Sequence, residues 1–160
     1  MTPALFIRMA LQAWEIQSKR TIAAFNNLSD EDLYLEIAPG KNRIIYLLGH
    51  LTAVHDMMQP LLGLGSRLYP QLDEAFISNA DKAVNTLPSP KELRESWAHI
   101  NDVLTQKLNS VTAEEWFRPH TMMSEEDFAK EPHRNKLNVL INRTNHLAYH
   151  LGQLALVKKG

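Results

Sequence analysis

Residues 142–153 read Asn-Arg-Thr-Asn-His-Leu-Ala-Tyr-His-Leu-Gly-Gln and place His146 and His150 four positions apart. On an α-helix that spacing stacks two imidazoles on one face, one turn apart, within reach of a single metal ion. The chain has no cysteine, so a transition-metal site must be built from His, Asp and Glu. This pair is the best local set for one. The helix that holds it is expected to run from about Lys136 to Lys158, with Lys158 and Lys159 placed favourably at its negative end.

The same helical period recurs upstream. Leu5, Met9, Ala13 and Ile16 predict the buried face of a first long helix, from Pro3 to about Asn27. Ser29 to Asp32 read as an N-cap followed by acidic residues, opening a short helix through Leu35. Ala38-Pro39-Gly40 breaks the pattern. A second long helix is expected from about Asn42 to Leu62, burying Ile45, Leu48, Leu51, Thr52, Val54, Met58 and Leu61, with Pro60 kinking or ending it. Gly63 to Leu87 is less regular, and a short crossing helix is expected over Leu72 to Ala80. Ser89-Pro90-Lys91-Glu92 is the clearest start signal: an N-cap, a proline in the first helical position and a capping-box glutamate. A third long helix follows to about Ser110, burying Leu93, Trp97, Ile100, Leu104 and Leu108. Thr112 to Glu115 is a further capping-box pattern, and residues 118–134 are a polar connection. No hairpin signal and no repeat occurs. The expected fold is all-α: a single domain over residues 1–160, a four-helix bundle with short additional helices in its connections.

Composition bounds the function. With 160 residues, 44% hydrophobic, 22% charged and a net charge of −1, this is an ordinary soluble domain with its own core. No basic excess points to nucleic acid, and no run of about 18 apolar residues points to a membrane. The apolar start carries Arg8 and Glu15 at helical spacing and lacks a small-residue cleavage site, so it does not read as a signal peptide. The lack of cysteine excludes disulfides and a protein thiol nucleophile and fits a reducing, cytoplasmic setting.

A third imidazole is available. His50, in Leu47-Leu48-Gly49-His50-Leu51, lies on or beside the apolar face of the second helix, and Gly49 removes side-chain bulk next to it. If the second and last helices meet, His50, His146 and His150 form a three-imidazole set with a fourth position left for water or substrate, a catalytic type of zinc arrangement. Nickel or iron would also accept these donors. The alternative for each histidine is a hydrogen-bonded core residue.

Leu-Leu-Gly-His-Leu on one helix, with Asn-His-Leu-Ala-Tyr-His-Leu-Gly-Gln near the end, resembles the DinB/YfiT-like superfamily, the DinB-like four-helix bundles. The family pattern is one histidine on the second bundle helix and a His-x-x-x-His followed by x-Gly-Gln on the last, which falls on His50, His146, His150, Gly152 and Gln153. The order of elements agrees along essentially the whole chain. The resemblance implies a divalent metal ion, most often zinc or nickel, held by those three histidines. It also implies a homodimer and, in some relatives, a transferase or isomerase using a low-molecular-weight thiol with a small-molecule substrate. The rival readings are a metal-dependent hydrolase and a non-catalytic, metal-binding or structural stress-related bundle.

Other residues are expected around the site. Gln153, three positions after His150, is placed to bond a metal-bound group or substrate, or else a neighbouring backbone. Asn142 extends the ligand face one turn before His146 and is a candidate substrate contact. Gly152 reads as a close-packing glycine, and Tyr149, about 100° from its neighbour His150, as a packing residue. His55 and Asp56 point about 140° and 120° away from His50, so a surface or partner-helix role is expected for both. His120 and His133 read as solvated, and Glu114-Glu115 and Glu125 to Asp127 as helix-start acids. The methionines read as core or lid filling.

Overall fold

The structure, a computed structural model, describes residues 2–157. Four long helices form it: α1 (Pro3–Asn26), α2 (Ile44–Leu61), α3 (Pro90–Ser110) and, after two short helices α4 (Ala113–Trp116) and α5 (Glu125–Lys130), α6 (Lys136–Ala155). No β-strand occurs among the described residues, and none of their helices is long and apolar enough to cross a membrane. The all-α bundle is therefore observed.

The caps explain the boundaries. Ser89 Oγ accepts from the Glu92 N–H at 3.3 Å while the Glu92 carboxylate accepts from the Ser89 N–H at 2.8 Å, the reciprocal arrangement read from the sequence. Thr112 caps α4 and Ser124 caps α5, so the acids that follow them do occupy first turns. Pro60 sits in the last turn of α2, and the helix stops one residue later. The short helix expected through Leu35 is a single 3₁₀ turn, Asp32–Tyr34, closed by mutual Ser29–Asp32 hydrogen bonds. The crossing segment is a 3₁₀ turn, Pro70–Leu72, followed by a π-turn, Glu74–Ser78. The last helix ends at Ala155, earlier than expected; Lys158 and Lys159 lie outside the described residues.

Packing contacts set the helix directions. Phe25, near the end of α1, meets Trp97, near the start of α3, edge-on at 5.9 Å, so those helices are antiparallel. Lys107, late in α3, donates to Gln59, late in α2, at 2.7 Å, so α2 and α3 run the same way. The Thr121 N–H donates to the carbonyl of Leu61, and the Lys136 N–H to that of Arg118, so α6 starts beside the end of α2 and runs back along it. The helix directions are up, down, down, up. α2 packs chiefly on α3, and α6 chiefly on α1.

One expected face is corrected. The buried side of α1 is Ile7, Ala10, Trp14, Ser18, Thr21 and Phe25. Leu5, Met9 and Ile16, expected inside, are 37%, 50% and 48% exposed, and Ala13 is also exposed. α1 carries two apolar stripes, and the one with Trp14 and Phe25 has the larger area to bury, so it takes the core.

Candidate metal centre

His50 comes from the second turn of α2, and its surroundings are built by the crossing segment. Gly49 lets the Phe76 ring lie on the helix backbone: a Cβ at that position would stand 2.4 Å from the ring. With Phe76 seated there, its carbonyl accepts from His50 Nδ1–H at 2.9 Å. Tyr46, one turn before His50, stacks parallel to its ring and donates its hydroxyl to the Asn79 carbonyl at 2.8 Å. Asp81 closes the assembly: its carboxylate accepts from the backbone N–H and the guanidinium of Arg43 at the mouth of α2. Burial alone would raise the Asp81 pKa, but the Arg43 contacts hold it below the usual carboxylate range.

α6 brings the other two imidazoles to the same place. His50 Nε2 and His146 Nε2 are 3.2 Å apart, and His150 Nε2 and His146 Nε2 are 3.1 Å apart. His150 Nδ1–H donates to Gln153 Oε1 at 2.7 Å, and Gln153 Nε2 donates to the Tyr149 hydroxyl at 3.3 Å. In His50 and His150, therefore, the Nδ1 proton is committed outward and the Nε2 lone pair faces the centre. His146 Nδ1 is buried without a partner, so an Nε2 proton on His146 could be donated to only one of the two facing lone pairs, leaving the other unsatisfied. A metal ion resolves the arrangement: nitrogens about 2.05 Å from zinc at tetrahedral angles stand roughly 3.3 Å apart, close to the spacing seen. Donor chemistry, tautomers and spacing all fit a divalent ion. The three rings keep their ligand atoms within 4.8 Å of one another, and no carboxylate joins them among the described residues.

Electrostatics agrees with neutral donors. Burial pushes His146 down to about 4, with the neighbouring imidazoles and Arg143 adding to the effect. Burial also lowers His150, although its bond to Gln153 works the other way.

The residues flagged in the sequence fall into three groups. His50, His146 and His150 are brought together, with Gln153 touching one of them. Asn142 is exposed, and its side chain makes no hydrogen bond among the described residues. Several expectations are corrected. Gly152 is exposed, with open space where a Cβ would stand, so it relieves no close packing. Tyr149 is 64% exposed and lies edge-on to His150 rather than packing in the core. His55 and Asp56 face partner elements as expected but are not at the surface, being 1% and 0% exposed. His120 is half-buried with Nδ1 unpartnered; His133 is exposed. Met58 is core, but Met122 is 84% exposed. The 118–134 connection is anchored by Thr121 at Leu61, about 16 Å along α2 from His50.

Three contributors escaped the sequence reading: the Phe76 carbonyl, Tyr46 and Arg143. The first depends on a loop conformation and left no signal. Tyr46 lies four residues before His50, and Arg143 three and seven before the histidine pair, so helical spacing alone could have found both.

No curated protein matches the chain. The family model described as the DinB superfamily matches residues 13–154, which includes all three histidines and the four long helices except the first turns of α1 and the last residue of α6. The chain belongs to the DinB superfamily.

Proposed function

We propose that the protein is a metal-dependent enzyme acting on a small molecule at a three-histidine centre. The observation that carries this reading is the convergence of three Nε2 atoms with the opposite nitrogens of His50 and His150 already bonded to Phe76 and Gln153. Such outer hydrogen bonds fix ring orientation and raise ligand basicity. When bound, a divalent ion, zinc or nickel, supplies Lewis-acid chemistry and lowers the pKa of a donor in the position left open.

The chain itself contributes orientation and exclusion. His50 and His150 hold their lone pairs inward, His146 brings its Nε2 to the same point, Tyr46 stacks on the His50 ring, and Phe76 lies against Tyr46 and the backbone at Gly49. No Asp or Glu joins the cluster to act as a general base among the described residues. That favours a thiol cosubstrate, whose activation needs only the ion, over water. The leading assignment is a thiol-dependent transferase; the second reading is a metal-dependent hydrolase. A homodimer accords with the outward stripe of Leu5, Met9 and Ile16, and its test is the molar mass in solution.

The test of catalysis is a turnover screen of zinc- and nickel-loaded protein with electrophiles and low-molecular-weight thiols, beside His146→Ala. Thiol-dependent turnover lost in the variant is expected. Turnover with water alone selects the hydrolase. A stable metal complex with no turnover, whose metal spectrum thiols leave unchanged, selects the non-catalytic metal-binding bundle.

A further inference from the structure

Four arginines are half-buried, and three of them have a carboxylate: Arg43 with Asp81, Arg67 with Asp56 and Asp73, and Arg94 with Asp30. Arg143 is the fourth. Its side chain makes no ion pair and no hydrogen bond among the described residues. A guanidinium loses hydration on burial and in proteins is normally repaid by an anion.

Its position is informative. Arg143 lies one turn before His146 on α6 and about 20° around the helix from His150, so it shares the ligand face. Its side chain is half-buried on that face. Burial lowers the guanidinium's own pKa with no counter-charge to offset the effect. On α2 the positions that share the side of His50 by helical spacing, Val54, Met57 and Leu61, carry no acid. With a divalent ion on three neutral imidazoles, the site would hold two cationic centres on one face of α6, and no carboxylate joins the three histidines among the described residues.

We propose that Arg143 is the specificity-determining residue of this centre and selects a small bifunctional anion, one end entering beside the three histidines and a carboxylate at the other end pairing with the guanidinium. This rests on the metal-centre reading above. The planar fork of arginine matches the two carboxylate oxygens, and the shared face of α6 calls for a linker short enough to stay on it.

The test compares two thiols of similar size, 3-mercaptopropionate and 2-mercaptoethanol, by calorimetric titration of the full-length zinc-loaded protein, with the metal content of every sample measured. The wild type is expected to prefer the carboxylate by about ten- to a hundred-fold. Arg143→Met, which keeps most of the apolar stem, should lose that preference while retaining its metal and its affinity for 2-mercaptoethanol. Arg143→Lys should keep part of it, in a salt-sensitive form. Equal affinities in the wild type, or a preference that survives Arg143→Met, with the metal in place, would overturn the role of Arg143 and leave the metal centre standing. A wild-type protein that takes up no zinc would overturn both.

Discussion

His50 and His55 stand five residues apart on α2 and live in opposite worlds. His50 is half-buried, its Nδ1–H committed to a carbonyl and its Nε2 turned to two other imidazoles. His55 is enclosed between Trp14 and Trp97, each ring centroid 4.8 Å away, with Nδ1 on Asn101 at 3.2 Å and Nε2 buried without a partner. Burial pushes His55 down to about 3. A rotation of about 140° around one helix separates a candidate ligand from a structural wedge. The number of ligand nitrogens meeting at a point distinguishes them, since burial is greater for His55, which meets no other imidazole nitrogen.

The sharpest way to separate the two regions is acid. His55 and His146 have folded values of about 3 and 4, below a free imidazole, so the unfolded chain takes up the proton first. Stability is full above about pH 6.5 and is lost as pH falls toward 4 and then 3, on the order of 4–5 kcal/mol from His55 alone. Urea denaturation of metal-free protein across that range measures it, and His55→Leu should flatten the low end of the curve. Next in size, His55→Ala should cost about 3–5 kcal/mol through the cavity between two tryptophans, whereas His50→Ala in metal-free protein should cost about 1 kcal/mol or less. Equal losses would erase the distinction.

Gly49→Ala tests the link between core and site. A Cβ there meets the Phe76 ring, so about 1–3 kcal/mol of stability should be lost, and metal affinity should fall because the carbonyl that orients His50 moves with Phe76. Gln153→Ala is the mildest change. It removes the acceptor for His150 Nδ1–H, along with an exposed donor to the Tyr149 hydroxyl, and should weaken metal binding about ten- to a hundred-fold, read by competition with a chelator, with stability little changed.

Much of this was legible in the sequence where local chemistry decides. The capping box at Ser89 and Glu92, the buried face of α3 and the four-residue spacing of His146 and His150 involve neighbours along the chain, and each appears as read. His50 was legible through Gly49, although the atom Gly49 makes room for belongs to Phe76. The failures are tertiary. α1 offers two apolar stripes, and the buried one includes Ser18 and Thr21, so hydrophobic period alone chose the wrong side. His55 and Asp56 were expected to have a solvent option because α2 was read as one-sided. It is enclosed nearly all round, and Asp56 is satisfied there by Arg67 at 2.7 Å and by the backbone of Leu68 and Tyr69, groups more than ten residues away. A helix apolar on every side is a buried helix, and α2 carried that signal.

The central claim is that His50, His146 and His150 hold one metal ion together. Its most direct test is elemental analysis of untagged protein loaded with zinc or nickel and freed of excess, beside His50→Ala, His146→Ala and His150→Ala. About one ion per chain in the wild type and loss of stoichiometric metal in all three variants is predicted. No bound metal in the wild type under any loading condition, or full occupancy retained in the variants, would contradict it.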